Sequence, residues 1–311
     1  MNSWQNERAK QPGKRSRPIT ACVPYHGCGA IVRRAVEGLL QQTFRDLTVI
    51  VVNDGDPTPP WNWLRDIGDP RLVRFDLATN GGPYMATAIV LNATDSPYFL
   101  IQDADDWSMP DRASRLLRMI EADRSDFAVS GQLHVPASRG PRAATHVTWG
   151  SVVTDQASPH RLVLRTRITP EFVYRAPHHG LYRAEALRRL GGYYGGFRVS
   201  YDALLTNLIL MTGRVSHTPL ALYHRSIRPE SLTRSADTGL GSLFRNRTEQ
   251  SIQVIYARCF QHYQDYQRGR INSRSLIDRL RERVLNNVSS AEADHIARES
   301  MRLRYLLRST R

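Results

Sequence analysis

Short apolar runs alternate with stripes of helical period through the first 131 residues. The run ITACVP (19–24) predicts a strand ended by proline. Ile31, Val32, Ala35, Val36, Leu39 and Leu40 then recur in steps of three and four, with Arg33, Arg34 and Glu37 on the other side, so the segment 30–44 predicts a helix. LTVIVVND (47–54), RLVRFDL (71–77), PYFLIQD (97–103) and DFAVSG (126–131) predict further strands. Between them lie three helical stretches: PPWNWLRDI, YMATAIVLNA (84–93), and 110–122 with its stripe of Ala113, Leu116, Leu117 and Ile120. The prolines of the first sit at its start, where a missing N–H costs nothing. Apolar strands alternating with helices predict an α/β fold whose sheet is mostly parallel and covered on both faces.

The pattern then loosens. Strand-like pieces fall at 145–153 and 162–166, and a helix near 184–190 stops at Gly191-Gly192. YDALLTNLILMTG (201–213) predicts a helix with Ser200 as N-cap and Gly213 as its stop, and RVSHTPLALYHR a strand. From about 240 the chain reads as helical and Arg-rich. The expected organisation is a disordered basic arm at 1–18, an α/β domain at 19–239, and a basic helical subdomain at 240–311.

Charge adds a constraint. The formal net charge is +14, of which residues 1–18 carry +4 and residues 240–311, with fourteen Arg against seven acids, carry +7. The middle is nearly neutral, which argues against a basic nucleic-acid groove and against nucleic acid as partner. The basic ends fit an anionic membrane surface, a polyanionic ligand, a second copy of the chain, or a solubilising charge excess. No run of 18 apolar residues exists, and the N-terminus lacks the apolar middle of a secretory signal. Cys22, Cys28 and Cys259 show no metal-ligand spacing and fit a reducing compartment. The expected location is cytoplasmic, with peripheral contact at the inner membrane surface as an extension.

The candidate chemistry sits at the carboxyl ends of the predicted strands, where ligands bind in such sheets. Asp54 ends the second strand and Asp103 the fourth, so both should reach one crevice. FLIQDADDWSMPD (99–111) places Asp103, Asp105 and Asp106 directly after a buried strand. Hard divalent cations take carboxylate oxygens, and sites that handle phosphates use one or two of them. The triplet fits a metal site or, equally, a capped turn with a solvated acid. Asp54 fits an acceptor for a base imide or a ribose hydroxyl, or a plain Asp-Gly turn. TNGGPY (79–84) fits either a turn or backbone N–H groups presented to a phosphate.

Together these stretches resemble the family 2 glycosyltransferases, nucleotide-sugar enzymes of GT-A fold, over about residues 18–235. The likeness rests on CVPYH, LLQQTFRDLTVIVVNDG, NGG and SPYFLIQDADDWSMPDR in that order and spacing. The resemblance implies that Pro24, Tyr25 and Asp54 bind the nucleoside, with Asn80, Gly82 and Ala104 in the same nucleotide-sugar site. It further implies Asp103 near the ribose, Asp105 as ligand of a Mn2+ or Mg2+ ion on the diphosphate, and Asp202 as catalytic base of an inverting displacement. The implied donor is a UDP- or dTDP-sugar. The acceptor is a glycan, a lipid-linked glycan or a small natural product.

This chain departs from the family pattern at Tyr201, which replaces a Glu before Asp202, at Thr87 and Ala88, which replace an Arg-Asn pair, and at Asp56, which replaces a Ser. LYHRSIRPESLT resembles the family's closing segment. There either Arg228, as a bidentate partner of the diphosphate, or His224, as a metal ligand, is expected to complete the site, while His217 fits packing better than ligation. His178 and His179 are placed at the crevice, either touching a ligand or serving structure. Trp107 is the best candidate to stack on the sugar, ahead of Trp61, Trp63 and Trp149. Three rivals remain: a nucleotidyltransferase, whose Gly-rich basic loop YHGCGAIVRR matches poorly; a nucleic-acid-binding protein; and a non-catalytic sugar-binding relative.

Overall fold

The computed structural model describes residues 17–136, 143–147, 162–164, 172 and 178–309. The basic arm up to residue 16, Trp149, and the remainder of the strand-like pieces at 145–153 and 162–166 lie outside the described residues. In chain order the elements are β1 (Ile19–Tyr25), α1 (Val32–Leu40), β2 (Leu47–Asp54), α2 (Trp61–Leu64), β3 (Leu72–Leu77), α3 (Pro83–Ala93), β4 (Tyr98–Ile101), β5 (Trp107–Ser108) and α4 (Arg112–Ala122). They continue with β6 (Phe127–Pro136), β7 (Thr145–Val147), β8 (Leu162–Leu164), β9 (Gly180–Arg183), α5 (Ala184–Arg189), α6 (Tyr201–Thr212), β10 (Val215–Ile227), α7 (Leu243–Gln267), α8 (Ser273–Leu285) and α9 (Ser290–Ser309).

One sheet runs β3-β2-β1-β4-β9-β6-β10-β5, with β7 beside β6 and β8 beside β10. The pairs β1–β2, β1–β4, β2–β3 and β6–β10 are parallel, as the alternating pattern predicts. The sheet is nevertheless mixed. β9 enters antiparallel between β4 and β6, and β5 pairs antiparallel with β10. At Gly180 the approach is so close that a Cβ would collide with the Ala128 carbonyl and the Phe127 ring, so glycine is needed there.

Period-two alternation sends each strand's side chains into two cores. Ala21, Val23, Val49 and Val51 face α1 and α4. Cys22, Ile50 and Val52 face α3 and α6. Those two helices bury residues around most of their circumference, among them Met85, Ile89, Leu91, Leu204, Leu208 and Met211. A helix apolar on all sides needs cover on all sides. α7, α8 and α9 supply it, burying Ile252, Tyr256, Leu280, Leu303 and Leu307 in the same cluster. Among the described residues, no helix is long and apolar enough to cross a membrane.

Ser200 differs from the expected N-cap. Its backbone is left-handed (φ 60°), and its side chain caps nothing in α6. The hydroxyl instead donates to Glu249 (2.9 Å) and accepts from Arg245 (2.9 Å), which ties the start of α6 to α7.

Candidate functional site

β1, β2 and β4 are parallel neighbours, so Tyr25, Asp54 and Asp103 emerge along one edge of the sheet. With strands spaced by about 4.8 Å, the ends of β2 and β4 lie roughly 10 Å apart. Asp54 is buried, and its two oxygens accept the backbone N–H groups of Gly81 (2.9 Å) and Gly82 (2.8 Å). Burial raises its pKa although both amides oppose the rise. The Gly81 and Gly82 N–H groups therefore face Asp54 and not a phosphate. Asn80 completes the turn, its Oδ1 accepting from the Gly82 amide at 3.0 Å and also from Arg198.

Pro24 lies in β1 opposite Val52, and the Tyr25 ring beside it is buried. The Tyr25 hydroxyl donates to the Thr58 carbonyl (3.2 Å), and burial together with nearby Asp56 pushes its pKa to about 12. That side chain is thus committed to holding the 54–58 turn. Asp56, the departure from Ser, accepts from the amides of Gly27 and Thr58.

The loop after β4 gives its three carboxylates three different partners. Asp103, with 42% of its side chain exposed, accepts from His179 Nε2 at 2.8 Å. Burial of the loop opposes its ionisation, but His179 outweighs that effect and holds it down at about 2. Asp105 accepts from Arg228 Nε at 2.6 Å, and burial plus the negative charge of Asp103 raise its pKa. Asp106 is fully enclosed, accepting from the Tyr223 hydroxyl (2.6 Å) and the Ser226 amide (2.7 Å). Burial and the two neighbouring acids push it well up. Ala104 is buried between them.

Beneath the loop lies Arg112, fully buried, donating to the Ile101 carbonyl (3.0 Å), Gln102 Oε1 (3.1 Å) and Ser108 Oγ (2.9 Å). Its guanidinium also sits 4.5 Å from the Tyr223 ring centroid. Burial lowers it to about 10, which leaves it charged at neutral pH as a counter-cation under the acids.

The second half of the site comes from the first turn of α6. Asp202 Oδ2 lies 2.9 Å from His178 Nδ1, and Oδ1 accepts from the Tyr84 hydroxyl at 2.5 Å. Burial opposes its charge, yet His178 and Tyr84 hold it well below the usual carboxylate range. Burial lowers His178 and the Asp202 carboxylate raises it, with a net rise. A partly buried carboxylate is thereby kept ionised, and 17% of its side chain is accessible.

Two residues expected at the ligand have protein neighbours of their own. His224 stands apart from the acids. Tyr223 points its hydroxyl at Asp106, so alternation along β10 turns His224 to the other face, where its ring meets Trp107 edge-on at 5.0 Å. Trp107 has one ring face taken by the Arg34 guanidinium, 3.1 Å from its centroid, and packs against α1. Trp61 donates to Asp76, and Trp63 lies 6.4 Å from the Tyr25 ring. His217 is buried, as expected. Tyr84 and Tyr223 carry no local signal, because each meets its acid across a fold contact more than 100 residues away along the chain, whereas Arg112 is held by Ile101, Gln102 and Ser108 of its own neighbourhood.

A hard divalent cation fits the loop. Asp103, Asp105 and Asp106 each offer an oxygen within 4.8 Å of the others, as do Asp103, His178 and His179 with a ligand atom apiece. Asp106 has its oxygens engaged, which leaves Asp103 and Asp105 as the carboxylates with capacity, and their mutual repulsion is what a cation relieves. His224 belongs to neither group among the described residues.

An α/β sheet with an acidic loop after its fourth strand, facing an ionised Asp at a helix start, defines a GT-A-type fold. TarS from S. aureus, solved as residues 1–349 with UDP, superposes with a TM-score of 0.53 at 18% identity, covering 86% of this chain and 88% of that one. The same protein with UDP-GlcNAc gives a TM-score of 0.54 at 17% identity, covering 76% of this chain and 71% of that one. The family model "Glycosyl transferase family 2" matches residues 20–191, more than half of the chain, and the protein belongs to that family. Among curated relatives, glycosyltransferase GlyA of Streptococcus pneumoniae is 25% identical over 222 residues, 70% of this chain but 31% of that protein. The Escherichia coli UDP-Glc:alpha-D-GlcNAc-diphosphoundecaprenol beta-1,3-glucosyltransferase WfaP is 20% identical over 112 residues, 36% of this chain and 45% of its own length. The chain thus spans less than half the length of these curated relatives.

Proposed function

We propose that the protein is an inverting glycosyltransferase that moves a sugar from a nucleoside diphosphate sugar to an acceptor hydroxyl. The observation that carries this reading is Asp202, held ionised by His178 and Tyr84, with the adjoining His179 joined to Asp103 of the acidic loop. In a single displacement the acceptor oxygen bonds to the anomeric carbon as the bond to the diphosphate oxygen breaks. Asp202 takes the hydroxyl proton as that bond forms. Asp103, with its exposed carboxylate, faces the nucleoside side, and Arg228 is available to the diphosphate once it leaves Asp105.

Asp105 and Asp103 would hold a Mn2+ or Mg2+ ion, which when bound would supply charge neutralisation for the departing diphosphate. The UDP and UDP-GlcNAc complexes of TarS support a uridine donor. WfaP supports a lipid-linked glycan among the candidate acceptors.

Screening the purified protein with MnCl2 against a panel of nucleotide sugars tests this. The expected result is thermal stabilisation by a pyrimidine nucleoside diphosphate that EDTA abolishes, with nucleotide released from one donor. No response to any nucleotide sinks the reading.

A further inference from the structure

The two acids with the clearest chemical roles lie on separate elements, Asp103 after β4 and Asp202 at the start of α6. One dipeptide touches both. His178 Nδ1 meets Asp202 Oδ2 at 2.9 Å, and His179 Nε2 meets Asp103 Oδ2 at 2.8 Å. The two imidazole rings are themselves in contact, with centroids 3.7 Å apart.

Each histidine is held from behind. His134 Nε2 lies 3.1 Å from Gln132 Oε1, which orients the Gln132 amide so that its nitrogen faces His179 Nδ1 at 3.2 Å. With Nδ1 accepting, the proton of His179 sits on Nε2 and is donated to Asp103. The same ring stacks on Tyr223 (4.5 Å, 17°), whose oxygen accepts the Asp103 amide (3.2 Å) while its hydroxyl donates to Asp106. On the other side, Tyr84 fills the second oxygen of Asp202 and fixes the carboxylate plane that His178 meets. Directly after the dipeptide, β9 is hydrogen-bonded between β4 and β6, so the backbone cannot slide along the sheet.

We infer that His178 and His179 form a positioning dipeptide with divided labour. His178 orients the Asp202 base for bond formation, and His179 orients Asp103 for donor binding. Their shared backbone sets the spacing between the donor side and the base. The inference rests on the glycosyltransferase reading and deepens it. A misplacement of about 1 Å at such a site costs on the order of 100-fold in rate, so an element that fixes this spacing has a kinetic signature distinct from plain packing.

The test uses the full chain, UDP with MnCl2 for binding, and nucleotide release from the best donor in water for turnover, so that no acceptor is needed. His178→Asn should lower kcat at least ~10-fold and leave donor KM and UDP affinity within about twofold, the pattern of a group acting only in the transition state. His179→Asn should weaken UDP affinity and raise donor KM by about fivefold or more, with the smaller effect on kcat. His178→Gln and Tyr84→Phe keep the question open should an Asn variant fail to fold, and both should follow the His178→Asn pattern. If the two histidine variants lose kcat and affinity in parallel, or lose neither, the division of labour is wrong while the activity stands. A wild-type protein that neither binds UDP with Mn2+ nor releases nucleotide from any donor overturns the glycosyltransferase reading and this inference with it.

Discussion

Arg228 donates its Nε–H to Asp105 at 2.6 Å, joining the loop after β4 to the segment that follows β10. Both side chains are mostly enclosed, at 11% and 15% exposure, so the guanidinium fills the position beside Asp105 that a divalent cation would share. The pair makes the expected metal ligand and the expected diphosphate ligand each other's partner. In the proposed reaction a cation bound at Asp105 would free Arg228 for the donor.

Removing that competitor should therefore strengthen the response to metal. Arg228→Gln is expected to destabilise the metal-free protein by about 1–3 kcal/mol, because it leaves a mostly buried carboxylate without its cation. Added MnCl2 should then raise its Tm more than it raises that of the wild type. Equal shifts in thermal unfolding would remove Asp105 from the metal site.

Asp202→Asn keeps the shape of the residue and its place in α6 but cannot take a proton. Turnover should fall by about 100- to 10,000-fold, while UDP affinity measured by calorimetry stays within about twofold. Full turnover in this variant would show that the base lies elsewhere.

The Asp202–His178 pair has a defined pH window. Asp202 is depressed below its ordinary 3.8, so its contribution to stability is full above 3.8 and is lost as pH falls through the lowered value. His178 is raised above its ordinary 6.5, so its contribution is full below 6.5 and is lost as pH climbs through the raised value. The pair stabilises most between 3.8 and 6.5. The Tm difference between the wild type and His178→Asn should be largest in that window and shrink on either side. A difference independent of pH would mean that the pair is not ionised.

Arg112 tests the support beneath the acidic loop. Arg112→Leu removes one donor from each of three buried acceptors, of which Gln102 Oε1 keeps the Ser108 hydroxyl, and takes a buried counter-cation from the carboxylates, so a loss of about 2–4 kcal/mol in urea unfolding is expected. Arg112→Lys should recover little, since an ammonium cannot span the three acceptors that the planar fork reaches.

The strands and helices of the first half were legible because their burial is one-sided or complete, and each case leaves its own period in the chain. The antiparallel entry of β9 was not, since a four-residue strand reads the same in either direction. Asp103 and Asp105 stood out as acids at the end of an apolar segment, whereas Asp202 came only from the family resemblance. The direction of the His224 side chain is set by alternation from Tyr223, and Arg34 reaches Trp107 from α1, so neither neighbour is written in the segment that carries the residue.

Local sequence by itself determined most strands and helices of the first half, and that the sheet carries its acids at strand ends. These follow from hydrophobic period and from the cost of burying charge, both of which are written in neighbouring residues. Tertiary structure alone decided the partners of those acids: Gly81 and Gly82 for Asp54, His179 for Asp103, Arg228 for Asp105, and His178 with Tyr84 for Asp202. Partnership depends on distances of about 3 Å between atoms that the chain holds more than 20 residues apart, and only the packed sheet and its helices bring them within that range.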